Sequence, residues 1–158
     1  MDFQDIIATR RSIRGYKPDA VPETAMMKMK RAIQLAPTGN NGQPFKVFFV
    51  RNALLRRQIA EKACHQAFIA GAPVIAVVFC KEDHEFDAAI VTDHLVLAAT
   101  AEGLGTCWVG WFERDAVKAL IAPPAGMSPC ILVPIGYAAE SPAPRPRKSF
   151  ETLIEVID

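Results

Sequence analysis

The stretch Pro73-Val74-Ile75-Ala76-Val77-Val78-Phe79-Cys80 is apolar at every position. A half-buried strand alternates apolar and polar residues, so an unbroken apolar run of strand length predicts a central strand covered on both faces. Covering both faces requires helices on each side, and the neighbouring sequence supplies them. Asp2 precedes Phe3, Ile6 and Ile7 as the cap of a short one-sided helix. Pro22 suits the first turn of a second helix, with Met26, Met29, Ala32, Ile33 and Ala36 on one side, and Pro37 ends it. Residues 54–63 read as an amphipathic helix, 115–121 as another. Residues 87–104 read as a long helix, with Ile90, Leu97, Ala98, Ala101 and Leu104 near helical spacing and Gly103 and Gly105 at its end. Further strands are predicted at 45–50, at 106–111 and at 130–137, the last broken by Pro134. The Pro-rich residues 141–147 predict an extended arm, and 150–157 alternate as a last strand would.

Residues 1–158 are expected to form one domain, an α+β sandwich with a mostly non-hairpin sheet. Hydrophobic residues at 51% and charged residues at 22% can fill a core and are not the composition of a disordered chain. A formal net charge of +1 gives no basis for a protein that coats nucleic acid. The four cysteines, Cys64, Cys80, Cys107 and Cys130, lack Cys-x-x-Cys spacing and sit in apolar contexts. They read as small buried side chains in a reducing cytoplasm. No leader-like segment follows Met1 and no apolar run is long enough for a membrane span, so no membrane partner is expected. An extended arm leaving so small a core must pack somewhere; exchanging it with a second chain would bury it, and a dimer is expected.

Four segments carry candidate chemistry. Arg10-Arg11-Ser12-Ile13-Arg14 sets three guanidinium groups within five residues, which repel unless an anion or carboxylates pair with them. Arginine suits bidentate phosphate contact and Ser12 adds a hydroxyl donor, although cations at a helix end are also favourable in themselves. Pro37-Thr38-Gly39-Asn40-Asn41-Gly42-Gln43-Pro44 is a turn-rich loop, either an ordinary connection or a set of amides able to read the polar edge of a heterocycle. Glu102-Gly103-Leu104-Gly105-Thr106-Cys107-Trp108-Val109-Gly110 fails the G-x-G-x-x-G dinucleotide pattern and follows a helix where that pattern follows a strand. Its main-chain N–H groups can still face an aromatic ring with Trp108 or Trp111 packed nearby, although each tryptophan taken singly reads as a core residue. Pro144-Arg145-Pro146-Arg147-Lys148 holds cations on an extended arm, as a second phosphate candidate or a solvated tail.

Other chemistries find no footing. His65, His84 and His94 lack ligand spacing to carboxylates or cysteines, so a metal site is not expected. Asp93-His94 reads as a helix surface, and no Gly-x-Ser-x-Gly or P-loop occurs. A chain without a protein nucleophile fits an enzyme whose cofactor does the chemistry.

In this order the four segments, with A-P-V-I-A-V-V and V-P-I-G-Y-A between and after them, resemble the nitroreductase family of FMN enzymes over essentially the whole chain. The resemblance implies a three-layer sandwich with a central, mostly antiparallel sheet flanked by helices and a C-terminal arm exchanged in a homodimer. It implies FMN at the subunit interface, with Arg10 and Ser12 on the phosphate and ribityl chain, Arg11 beside them, and Arg14 near the pyrimidine side. Pro37, Thr38, Gly39 and Asn41 would come from the partner chain. Gln66 is a candidate polar contact to the ring, and Trp108, Val109 and Gly110 would pass the isoalloxazine. Arg145 and Arg147 match the family's C-terminal cations, with Lys148 as the substitute should the register slip by one. Hydride would pass from NADH or NADPH to flavin N5, then to a nitroaromatic or quinone; a non-catalytic flavin-binding module and other flavin chemistries remain the alternatives. One departure stands out: only residues 81–86 join the central strand to the next helix, where larger members carry a helical excursion.

Overall fold

Strand β2 (Val74–Lys81) is buried at every residue but its last. Val74, Ala76, Val78 and Cys80 face one apolar cluster, while Ile75, Val77 and Phe79 face another. Both faces of this strand are therefore core, as its unbroken apolar run requires. The computed structural model describes residues 2–157. On the first face lie α2 (Glu23–Leu35) and α5 (Glu85–Ala101). On the second lie α3 (Ala53–Ile59), α4 (Phe68–Gly71) and α6 (Arg114–Leu120). Phe48 of β1 (Phe45–Val50) meets Phe79 edge-on, ring centroids 5.3 Å apart. The layers are helix, sheet, helix.

Short β3 (Gly105–Thr106) and β4 (Met127–Gly136) complete a sheet ordered β1-β2-β4-β3, with every neighbouring pair antiparallel. Helix α1 (Phe3–Thr9) starts on a reciprocal capping box: Asp2 accepts the Asp5 N–H at 2.8 Å and Asp5 accepts the Asp2 N–H. Pro22 is the cap residue of α2 and not its first turn, and α3 passes at Ala60 into a π-turn ending at left-handed His65.

Several expectations are corrected. Strand 130–137 is not broken by Pro134; β4 runs through it, and β3 is the strand that breaks. Gly105 and Thr106 pair with Gly136 and Ile135, and Val109 returns to Leu132 in the same register. Cys107 lies opposite Pro134 in that register. Leu132 exchanges both main-chain bonds with Val109, so by alternation Pro134 faces the same side, where it has no N–H to give. The missing donor falls away from β2, and the Pro134 carbonyl accepts the Tyr16 hydroxyl at 3.2 Å. Residues 150–157 are no strand either. A single turn, α7 (Phe150–Leu153), gives way to irregular chain, and Phe150, Leu153, Ile154, Val156 and Ile157 are exposed. Their alternation has no sheet edge and no core face to fill within the described residues. Finally, α5 buries Ala88, Val91, Leu95, Val96 and Ala99, while Ile90 and Ala101 of the expected face lie outside; the helix is apolar nearly all round, so spacing alone selects no face.

Glycine 105 is required by packing. A Cβ built there would stand 2.7 Å from Cγ1 of buried Ile13. Gly105→Ala is expected to lower unfolding free energy by about 1–3 kcal/mol in urea titrations, whereas Gly71→Ala, with open space at its Cβ, should leave stability unchanged or slightly raised.

Candidate functional site

The arginine segment leaves α1 as an extended chain and docks on the sheet edge. Ser12 bridges Thr106, and the Ile13 N–H donates to the Thr106 carbonyl at 2.8 Å. Ile13 turns inward onto Gly105. In an extended chain alternate side chains point oppositely, so burying Ile13 sends Ser12 and Arg14 outward. Arg11 folds back, its Nη1 donating to the Ala8 and Arg10 carbonyls at 2.8 Å each, and so satisfies the exposed end of α1. Its Nε is buried without a partner. The Arg14 main-chain N–H donates to Glu140 Oε1 at 2.5 Å, while its guanidinium lies 6.0 Å from the Phe68 ring centroid.

Across from this segment runs the Pro-rich arm. Together they enclose a cleft of 510 Å³ lined by Arg10, Arg11, Ser12, Arg14, Arg145 and Arg147, with Ile7 and Ala8 of α1 also in its lining. The two basic clusters, more than 130 residues apart in the chain, share one hollow. None of these arginines is in an ion pair among the described residues. Five like charges around one cleft are unfavourable until an anion enters, and their planar donors suit a phosphate. Lys148 is not among the lining residues. A second hollow of 220 Å³ lies on the other side of Arg10 and Arg11, against Gly103, Leu104 and Gly105. Cys107 sits behind Ser12; burial pushes its thiol up, against the pull of Arg14, the Ser12 hydrogen bond and Arg10.

The amide loop lies elsewhere. Neither Pro37, Thr38, Gly39 and Asn41 nor Gln66, Trp108, Val109 and Gly110 line the arginine cleft. Residues 39–41 make a short 3-10 turn, and the Gln43 N–H donates to Thr38 Oγ1 at 3.1 Å. Gly39 donates its N–H to Asp87 Oδ1 at 2.8 Å, and His84 Nδ1 stands 2.9 Å from Asp87 Oδ2. The Gly39 amide and then His84 hold the Asp87 carboxyl below its ordinary range. Val109 is buried in its bridge to Leu132, while Trp108 and Gly110 are exposed. Gln66 follows left-handed His65 and is half-buried.

Asp87, His84 and Glu140 escape sequence reading. An acidic residue in a helix's first turn looks like ordinary helix-start chemistry, and nothing local marks Asp87 as buried. No group of His, Cys, Asp and Glu that could hold a metal occurs among the described residues, and no helix there is long and apolar enough to cross a membrane.

Residues 2–158 match the family model described as "Putative TM nitroreductase". A Methanothermobacter thermautotrophicus protein named "Putative NADH dehydrogenase/NAD(P)H nitroreductase" is 31% identical, the alignment covering 92% of this chain and 82% of that one. An FMN reductase [NAD(P)H] of Bacillus subtilis is 28% identical over 93% of this chain and 70% of its own. The crystal structure of a nitroreductase family protein from Clostridium novyi NT superposes with a TM-score of 0.83 at 28% identity, covering 89% of this chain and 87% of that one. With its whole described length matched in sequence and its layers matched in space, the chain belongs to the nitroreductase family.

Proposed function

We propose that this chain is an FMN-dependent NAD(P)H oxidoreductase that works as a homodimer, residues 1–158 forming one flavin-binding unit. The observation that carries the reading is the convergence of Arg10, Arg11, Arg14, Arg145 and Arg147 with Ser12 on one cleft, with no ion pair among them in the described residues. Such a cleft fits a phosphate monoester with a polar tail. The Bacillus subtilis relative named for FMN reduction supports FMN as that ligand.

Bound FMN would supply the hydride chemistry, taking electrons from NADH or NADPH and passing them to an electron-poor acceptor such as a nitroaromatic or quinone. The chain supplies position and charge. Arg10, Ser12, Arg145 and Arg147 hold the phosphate and ribityl end, with Arg11 adding charge from the end of α1. Arg14 would set a cation beside the pyrimidine side of the ring, and Trp108, Val109 and Gly110 would run their main chain along it. Gln66 offers a polar contact. Pro37, Thr38, Gly39 and Asn41 reach the ring of the other subunit.

Two features support a second copy. The amide loop lies outside its own chain's arginine cleft. Phe3 and Ile7 of α1, Phe86 and Ile90 of α5 and the five apolar residues of the C-terminal arm are all exposed, apolar surface that a second copy would cover. Four free, buried cysteines support a reducing compartment such as the cytoplasm.

Purified protein is expected to be yellow, to bleach anaerobically with NADH or NADPH, and to regain colour with a nitroaromatic or quinone. Yellow protein inert to both nucleotides would make it a flavin-binding module, and colourless protein that takes up no FMN on reconstitution would sink the reading. Arg10→Ala and Arg147→Ala are each expected to weaken FMN binding about ten-fold or more by fluorescence titration, from the loss of charge-assisted hydrogen bonds. Arg11→Ala should act mainly on stability, by about 1 kcal/mol, because its donors serve the end of α1. Sedimentation should report a dimer, and truncation after Lys148 should yield monomers; a flavin-loaded monomer contradicts the shared site.

A further inference from the structure

The loop that follows α2 is held in a conformation its own residues do not favour. Asn40, Asn41 and Gln43 have φ of 51°, 54° and 49°. Asparagine tolerates the left-handed region, glutamine less so, and clustered left-handed residues persist only where surroundings over-determine them. Within the loop, Gln43 Nε2 donates to the Asn41 carbonyl at 3.1 Å. The outside restraints both come from the β2–α5 junction. The Lys81 N–H donates to the Pro44 carbonyl at 3.0 Å, and Asp87 Oδ1 accepts the Gly39 N–H at 2.8 Å. The junction is only His84 and the few residues before it, short enough for the first turn of α5 to reach the loop.

Asp87 is the one charged residue buried among the described residues. A carboxylate in that position persists only where partners offset its lost hydration. Gly39 serves one oxygen, His84 the other, and the N-terminal turn of α5 adds its dipole. We propose that Asp87 is a positioning residue of the flavin site, holding residues 38–43 in their strained conformation before the cofactor arrives. The proposal rests on the FMN reading above. A loop already ordered loses little freedom on binding, so Thr38, Gly39 and Asn41 would meet the ring without an ordering penalty.

The test pairs FMN titration of the apoprotein with hydrogen exchange of the loop amides in the absence of FMN. Asp87→Ala is expected to remain dimeric, to exchange the Gly39 amide faster, and to bind FMN about ten-fold or more weakly. Asp87→Asn keeps an oxygen for the Gly39 N–H and should recover most of both properties. Unchanged FMN affinity in Asp87→Ala overturns the proposal, as does an Asp87→Asn as defective as Asp87→Ala. Should Asp87→Ala fail to fold, Asp87→Glu, which keeps the charge but displaces the oxygens by a methylene, takes its place with the same expectations. Wild-type protein that takes up no FMN sinks the flavin reading together with this one; wild-type uptake with an indifferent Asp87 variant sinks the positioning role alone.

Discussion

Everything at the candidate site depends on the close approach of Ile13 to Gly105. With no side chain on Gly105, the extended chain after α1 lies against the sheet edge, donates from Ile13 to Thr106 and buries the isoleucine. Burial of that one side chain sets the alternation that turns Ser12 and Arg14 outward. A methyl group at position 105 would push the segment off the edge and spread the guanidinium groups it presents. An apolar contact in the core thus decides the geometry of a charged cleft.

Pro134 acts on the same edge. It sits inside a four-stranded sheet, where a proline is normally excluded, because its absent N–H points toward β3 and not toward β2. The consequence falls on β3, which is reduced to Gly105 and Thr106 and rejoins the ladder only at Val109. The Tyr16 hydroxyl shares its single hydrogen between the Ile13 carbonyl at 2.6 Å and the freed Pro134 carbonyl at 3.2 Å. Burial pushes that phenol far up, so Tyr16 stays a neutral donor tying the arginine segment to β4. Interruption of the strand and anchoring of the segment are two results of one missing donor.

Charge in this molecule is divided by function. Surface lysines and carboxylates pair with one another, as Lys28 does with Glu102 and Lys118 with Asp115, contributing little to stability. The arginines of the cleft have no such partners among the described residues, so an incoming anion would relieve their mutual repulsion. Asp87 shows the reverse arrangement, a single buried carboxylate with both oxygens engaged. Charge without ion-pair partners among the described residues thus gathers in the arginine cleft, and a fully engaged carboxylate lies beside the loop at 38–43.

Local sequence determined much of this. The apolar run of β2 specified a strand buried on both faces, the Asp2 cap and Pro22 marked helix starts, and the ordered basic and glycine segments pointed to the family. Those signals are legible because they arise from period, backbone stereochemistry and charge within a few residues. Other features required the folded chain. The buried face of α5 could not be read because that helix is apolar nearly all round, and the last alternating segment found no edge to pair with. Convergence of Arg10 with Arg147, the break of β3 opposite Pro134 and the burial of Asp87 beneath Gly39 all join residues distant in sequence. Such pairings are set by how layers close over the sheet, and no local pattern records them.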